Sequence, residues 1–296
     1  MRRLLTFTLV GLVAQTIDGS LGMAYGASSA TFLVAAGYSP VLVSASIHLA
    51  EVGTTCVSGL SHWKLGNVDW RVVRRIALPG AVGAFAGATL LSSIDGDVMA
   101  PWTAAILFGL GLVVLLRFAF GVGGGMRRRD LSRAGGAGLG LVGGAVDAVG
   151  GGGWGPIATP TLLTATRMSP RHVIGSVDTS EFLVSIAASA GFLLGIGSAG
   201  IDATVVLALL AGGVVAAPFA AWLVRILPTT VLGIGVGGIL LLTNARTLVR
   251  LHELDGSVVY LGIVGGLVLA AMYAARAQWG SQASSSSMSS ATSAGS

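Results

Sequence analysis

Long apolar segments recur from Leu4 almost to Ala275 with only short polar breaks between them, and this recurrence constrains the chain more than any motif within it. A membrane-spanning helix takes about 20 apolar residues, so the sequence has room for about eight or nine. Backbone inside a bilayer must satisfy its own hydrogen bonds, which leaves helices or a closed barrel. The apolar runs are continuous where barrel strands would alternate in polarity. An all-α polytopic integral membrane protein is therefore expected. Composition agrees, since 53% of the residues are hydrophobic and only 10% are charged, against about a quarter charged in soluble domains.

The net charge of +5 does not predict a nucleic-acid partner. Basic residues sit in short connections, for example Arg71, Arg74 and Arg75, then Arg127, Arg128, Arg129 and Arg133. That is the pattern by which positive loops stay in the cytoplasm and orient the spans. The expected partner is the lipid bilayer and the expected location the cytoplasmic membrane. The lone Cys56 excludes an intramolecular disulfide and any cysteine metal cluster.

An internal repeat organises the rest. GLVAQTIDGSLGMAYG, residues 11–26, aligns with GLVGGAVDAVGGGGWG, residues 140–155, at a shift of 129 residues, which superposes Asp18 on Asp147, Gly22 on Gly151 and Tyr25 on Trp154. At a shift of 130, Ser39-Pro40 meets Ser169-Pro170, Ser46 meets Ser176 and Glu51 meets Glu181. Met1-Arg2-Arg3 and the apolar run after it look like a signal peptide, but the repeat makes them part of the fold. The predicted division is a first repeat over 1–126, a basic loop over 127–133, a second repeat over 134–250, a final span over 251–278 and a disordered Ser-rich tail over 279–296. Each repeat opens with an interrupted segment. If that segment crosses once and the N-terminus is inside, Arg71, Arg74 and Arg75 are cytoplasmic while Arg167, Arg171 and Arg225 face outward. If it is a re-entrant hairpin, the two halves take opposite orientations. Parallel and inverted repeats both remain open at this level.

The interruption is the first candidate for chemistry. Residues 150–156 read GGGGWGP, and Gly costs about 1 kcal/mol relative to Ala inside a helix, so four in a row end or unwind it. Freed amides and the positive end of the next half-helix make an anion cradle. Close helix packing is the competing use of Gly. Recurrence of the break in both halves, each after an acidic residue, favours a site. Its expected substrate-binding residues are Ser20, Gly22, Tyr25, Ser28, Gly151, Gly152, Gly153, Trp154 and Thr159, with Ser46 and Ser176 on the following helices.

The second candidate is a stripe on the helix after each break. Ser44, His48, Glu51 and Thr55 are four, three and four residues apart and share one helical face; their counterparts are Ile174, Asp178, Glu181 and Ser185. Ionisable groups inside a span are expensive and normally face the interior, so His48, Glu51, Asp178 and Glu181 are candidates for coupling a proton or cation to transport. Asp18 and Asp147 either cap the freed amides or join that coupling. The four histidines show no metal-ligand spacing, no nucleophile elbow is present and GVGGG at 121–125 precedes a basic loop, so neither enzyme, metal nor cofactor is expected.

The duplicated unit of about 130 residues, the break ending in Pro (GGGGWGPIATPTLL), the Ser-Pro that opens the next helix and the polar pattern on it together resemble the TauE/SafE sulfite exporter family, also called the toluene sulfonate uptake permease family. The resemblance implies a secondary transporter of a small sulfur-containing anion such as sulfite, thiosulfate or an organosulfonate. A channel of the same fold, and a non-transporting intramembrane enzyme or assembly factor, are the other classes.

Overall fold

A computed structural model describes residues 2–21, 23–120, 130–198, 201–223, 229–251 and 255–293. All regular structure among them is helical: α1 (Arg2–Leu21), α2 (Tyr25–Ala35), α3 (Pro40–Lys64), α4 (Trp70–Ser92), α5 (Gly96–Phe120), α6 (Arg133–Gly150), α7 (Trp154–Ala165), α8 (Pro170–Ile196), α9 (Ala203–Leu223), α10 (Thr229–Leu251) and α11 (Gly256–Ser293). Six described helices are long and apolar enough to cross a bilayer, namely α3, α4, α5, α8, α9 and α11. α2 and α7 have 11 and 12 residues. At about 1.5 Å per residue they reach little more than half of a 30 Å hydrocarbon core.

Both short helices fold back on the helix before them. The ring of Phe7, early in α1, lies 5.7 Å from that of Tyr38, just after α2. In the second pair, Gly143 lies beside Ile157 and Gly153 beside Val146, so α7 returns along α6. One cavity of about 310 Å³ is lined by Arg71 and Arg75 of α4, by Asp130 before α6, and by Thr166 and Arg167 after α7. The count that has the interrupted segment cross once, with Arg167 facing away from Arg71, is thereby overturned. A chain whose α7 doubles back delivers Arg167 to the side from which α6 started.

Helix directions follow from which residues touch. Along α3 and α8, Glu51 meets Ser185, Gly59 meets Thr179 and His62 meets Asp178, so the two run antiparallel. α5 and α10 are antiparallel as well, with Gly111 against Leu240 and Phe118 against Gly233. α4 runs parallel to α6, and also to α8, where Gly80 meets Val184 and Gly191 meets Ala88. One end of the bundle therefore collects the N-termini of α4, α6 and α8 with the C-terminus of α3.

Glycine serves two purposes here. On α4 and α6 it permits backbone contact: a Cβ on Gly140 would lie 2.5 Å from the Ile76 carbonyl oxygen, Gly83 and Gly144 are at least as tightly placed, and Gly87 has the Ala145 oxygen at 2.8 Å. Gly11, Gly19 and Gly212 do the same where α1 crosses α9. This is the close packing that small residues allow between membrane helices. Gly151 and Gly152 instead take φ of 73° and 150° in the turn between α6 and α7. In the first turn the equivalent strain falls on a non-glycine residue, Ala24, at φ 93°. Two large apolar cores fill the rest, one built from α1, α2, α3, α5, α9 and α10 around Met23, Leu33 and Ile47, the other from α3, α4, α6, α7 and α8 around Trp154, Leu162 and Phe192, and a smaller cluster of Leu115, Ala119, Leu241 and Ala270 joins α5, α10 and α11.

The Ser-rich end, expected to be disordered, continues α11 as far as Ser293. Adding a residue to an existing helix costs far less than nucleating one, and the apolar Gly256–Arg276 stretch supplies the nucleus.

The two turns meet tip to tip. A Cβ on Gly26 would lie 2.5 Å from Gly152 Cα and 2.7 Å from the Gly151 oxygen, and one on Gly152 would fall on the backbone of Gly26 and Ala27. Gly152→Ala should therefore lower stability by at least about 2 kcal/mol through overpacking and the strained φ. Gly265→Ala, which points into open space, should leave it unchanged or higher. Thermal unfolding of the two purified variants in detergent measures the difference.

Candidate functional site

Asp147 lies at the C-terminal end of α6, fully buried. Its Oδ1 accepts hydrogen bonds from the amides of Gly153 (2.6 Å) and Trp154 (2.9 Å), the first donors of α7. Four N–H groups at a helix start have no partner within the helix, and here a carboxylate from across the turn takes two of them. Its Oδ2 lies 3.0 Å from His48 Nε2. Asp18 has the matching place at the end of α1, where Oδ1 accepts from the Tyr25 amide at 3.3 Å. Both aspartates thus act as caps of the turns.

His48 is held from its other side too. Its Nδ1 lies 2.7 Å from the Ser44 carbonyl oxygen, which can only accept, so Nδ1 carries a proton. One further proton, between Nε2 and Asp147 Oδ2, completes the pair. The Ser44 hydroxyl donates to the Ala148 carbonyl at 2.5 Å and ties α3 to the end of α6. Glu51, one turn on, has Oε2 3.3 Å from the Ser185 hydroxyl, which donates to it, and 4.0 Å from His48 Nε2. Its Oε1 is buried without a hydrogen-bond partner and points at Gly26, where an added Cβ would lie 2.9 Å from it.

Two groups of ionisable side chains result. His48, Glu51 and Asp147 bring one ligand atom each within 4.8 Å of one another, and so do Asp18, Asp178 and Glu181. Either set could hold a cation, the first through one nitrogen and two carboxylates, the second through three carboxylates. Spacing along the chain could not reveal this, because each group takes its aspartate from the end of one hairpin and its other two members from a long helix of the other half. All six are buried, and no Lys or Arg is buried among the described residues. Several carboxylates in one buried region are too costly to remain ionised together without protons or a cation.

The inward stripe lies as the spacing predicts: Ser44, His48, Glu51 and Thr55 of α3 and Asp178, Glu181 and Ser185 of α8 are all buried. The other candidates scatter. Tyr25 is buried with its hydroxyl donating to the Leu209 carbonyl (3.3 Å), and Trp154 is fully buried with Nε1 donating to the Val177 carbonyl (3.1 Å). Gly151, Gly152 and Gly153 form the turn itself. Ser28, Ser46 and Thr159 are buried, the Ser46 hydroxyl without a partner. Ser176 instead accepts from the Asp69 amide at 2.8 Å and braces the start of α4. Gly22 and the side chain of Ser20 lie outside the described residues. Asn244, unremarked in the sequence, donates to Thr31 Oγ1 (3.1 Å) and ties α10 to α2. A single Asn in an apolar helix was the available signal.

Removing the Asp147 carboxylate leaves the Gly153 and Trp154 amides and His48 Nε2 without that partner. Asp147→Ala should cost about 3 kcal/mol or more, since each bond to a charged group contributes about 1.5–3 kcal/mol. Asp147→Asn retains an acceptor and should cost less. Thermal unfolding of both variants in detergent checks the order.

Comparison with known proteins identifies the family. Residues 7–247 match the family described as "Sulfite exporter TauE/SafE". The chain is 48% identical over 252 residues to the probable membrane transporter protein YtnM of Bacillus subtilis (strain 168), with 84% of each chain covered. It is 28% identical over 173 residues to the probable membrane transporter protein YdhB of the same organism, across 56% of this chain and 70% of that one. No solved structure matches. The chain belongs to the TauE/SafE sulfite exporter family and is a multi-pass membrane transporter rather than an enzyme.

Proposed function

We propose that this protein is a proton-coupled secondary transporter of a small sulfur-containing anion, such as sulfite, thiosulfate or an organosulfonate, in the cytoplasmic membrane. The observation that carries the reading is the double engagement of Asp147, with one oxygen on the α7 amides and the other on His48. A carboxylate on a helix N-terminus sits where an oxyanion would sit. When a proton moves onto Asp147, its hold on the Gly153 and Trp154 amides weakens and a substrate oxygen takes them over. The site then gains one proton and one negative charge together, so no net charge is buried. This resolves the conflict between an anionic cargo and a centre rich in carboxylates and poor in buried cations.

Two inverted repeats with re-entrant hairpins are the framework of the proposal. The antiparallel pairing of α3 with α8 and of α5 with α10 supports it, because a two-fold axis in the membrane plane reverses the direction of equivalent helices. The shared end that carries Arg71, Arg75, Arg133 and Arg167 is the cytoplasmic one by the excess of positive charge, which puts the start of α1 outside. Tyr25, Ser28, Ser46, Trp154 and Thr159 line or shape the substrate chamber near the midplane, with Glu51 and Glu181 as further proton carriers.

Uptake into proteoliposomes tests this with sulfite, thiosulfate, an alkylsulfonate and chloride, with and without a pH gradient. Sulfur oxyanions should enter faster under an inwardly directed proton gradient. Asp147→Asn, which cannot alternate between charged and neutral forms, should lose the dependence on that gradient. Absence of uptake for every anion, together with unchanged transport after Glu51→Gln and Glu181→Gln in cells, overturns the reading. Flux indifferent to the proton gradient identifies a channel instead.

A further inference from the structure

The two halves differ at one pair of positions where their chemistry matters. At the shift of 130 residues that superposes Glu51 on Glu181, His48 corresponds to Asp178 and His62 corresponds to Phe192. Both pairs are in contact. The ring of His48 on α3 packs on that of Phe192 on α8, with centroids 5.9 Å apart. Across the same helix pair, Asp178 Oδ2 lies 3.9 Å from His62 Nε2. In one half the imidazole is central and a phenyl ring covers it on the outward side. In the other half the carboxylate is central and the imidazole lies outward of it.

This exchange changes what each side conducts. Phe192 is fully buried and has no group that carries a proton. The His62 side chain is 12% exposed, and its Nδ1 lies 3.5 Å from Asn67 Nδ2 in the turn between α3 and α4. Asp178 belongs at the same time to the central group with Asp18 and Glu181. Its Oδ2 is buried without a hydrogen-bond partner and lies toward His62. A continuous series of titratable groups thus leads from the central carboxylates to the end of the bundle that carries the C-terminus of α3.

We propose that His62 is a proton relay between the central carboxylates and that aqueous face, and that the opposite side, closed by Phe192, has no equivalent route. The inference rests on the proton-coupled reading above. The Asn67 Nδ2 amide can only donate, so Nδ1 is the acceptor and Nε2 carries the ring proton. The step balances: Nδ1 takes a proton from water in place of that bond, and the imidazolium gives its Nε2 proton to the Asp178 carboxylate, leaving a neutral ring and an Asp178 acid. Return of the ring to its first tautomer, or its rotation, resets the path. The 3.9 Å gap exceeds a hydrogen bond and closes by rotation of the Asp178 side chain or through one bridging water. Sequence spacing showed nothing at His62, which lies at the end of α3 away from every motif.

The test separates net proton movement from substrate exchange. Proteoliposomes carrying the full chain and an entrapped pH dye are given sulfite, and in parallel labelled sulfite is exchanged against equal unlabelled sulfite. Exchange can proceed with the protons retained, so it does not need the relay. In His62→Phe, which copies the opposite half, sulfite-driven proton movement should fall on the order of a hundredfold, the range a positioned proton-transfer group supplies, while exchange persists. In His62→Gly, added imidazole should restore proton movement. Wild-type proton movement in His62→Phe overturns the relay and leaves the transporter reading intact. An equal loss of exchange and proton movement in His62→Phe and His62→Gln, without rescue of His62→Gly by imidazole, makes His62 a structural brace and also overturns it. Wild-type sulfite flux without any proton movement removes proton coupling itself, and the relay with it.

Discussion

The carboxylate of Asp147 holds together a turn that would otherwise leave buried backbone amides unpaired. The turn between α6 and α7 interrupts a helix inside the bundle, where no bulk solvent pairs the freed donors. A single buried side chain takes the Gly153 and Trp154 amides on one oxygen and His48 on the other. It therefore fixes the turn, the position of α7 and the orientation of the imidazole together. His48 and Ser44 both stand on α3 and bond Asp147 and the Ala148 carbonyl at the end of α6, so the two helices cannot move independently there without breaking hydrogen bonds.

Glycine makes that arrangement sterically possible. The hairpin tips approach until the backbone of Gly26 and Ala27 rests on Gly152, a contact that any side chain at Gly152 would block. The same residue type brings α4 against α6 and α1 against α9. Dense backbone packing shields the polar groups of the centre from bulk solvent. The energetic consequence is that the central carboxylates must be neutralised by protons or cations rather than by solvation.

Much of this was legible in the residues. The apolar runs specified a membrane-spanning helical bundle, because no other backbone arrangement survives in lipid with such continuous hydrophobicity. The four-three-four spacing of Ser44, His48, Glu51 and Thr55 predicted an inward stripe, because the helical period leaves those residues only one face. The Gly run at 150–153 predicted a break through its low helix propensity. Other features were not legible. The bond from the Asp69 amide to Ser176 could not be read from the repeat that matches Ser176 to Ser46, because only the fold lays that end of α8 beside the start of α4. The Ser-rich end read as disordered from composition alone, whereas an established helix extends through it at small cost.

The sequence by itself determined the solvent, the helical class, the two breaks and the identity of the rare buried charges, since each depends on local composition or on a fixed helical period. Only the tertiary structure decided which charges meet. Asp147 joins His48 and Glu51, and Asp18 joins Asp178 and Glu181, across the two halves of the chain. It also decided that α2 and α7 double back, which turns Arg167 toward Arg71. Neither outcome is local. Direction after a break and the pairing of antiparallel helices are set by packing over distances that no sequence period encodes.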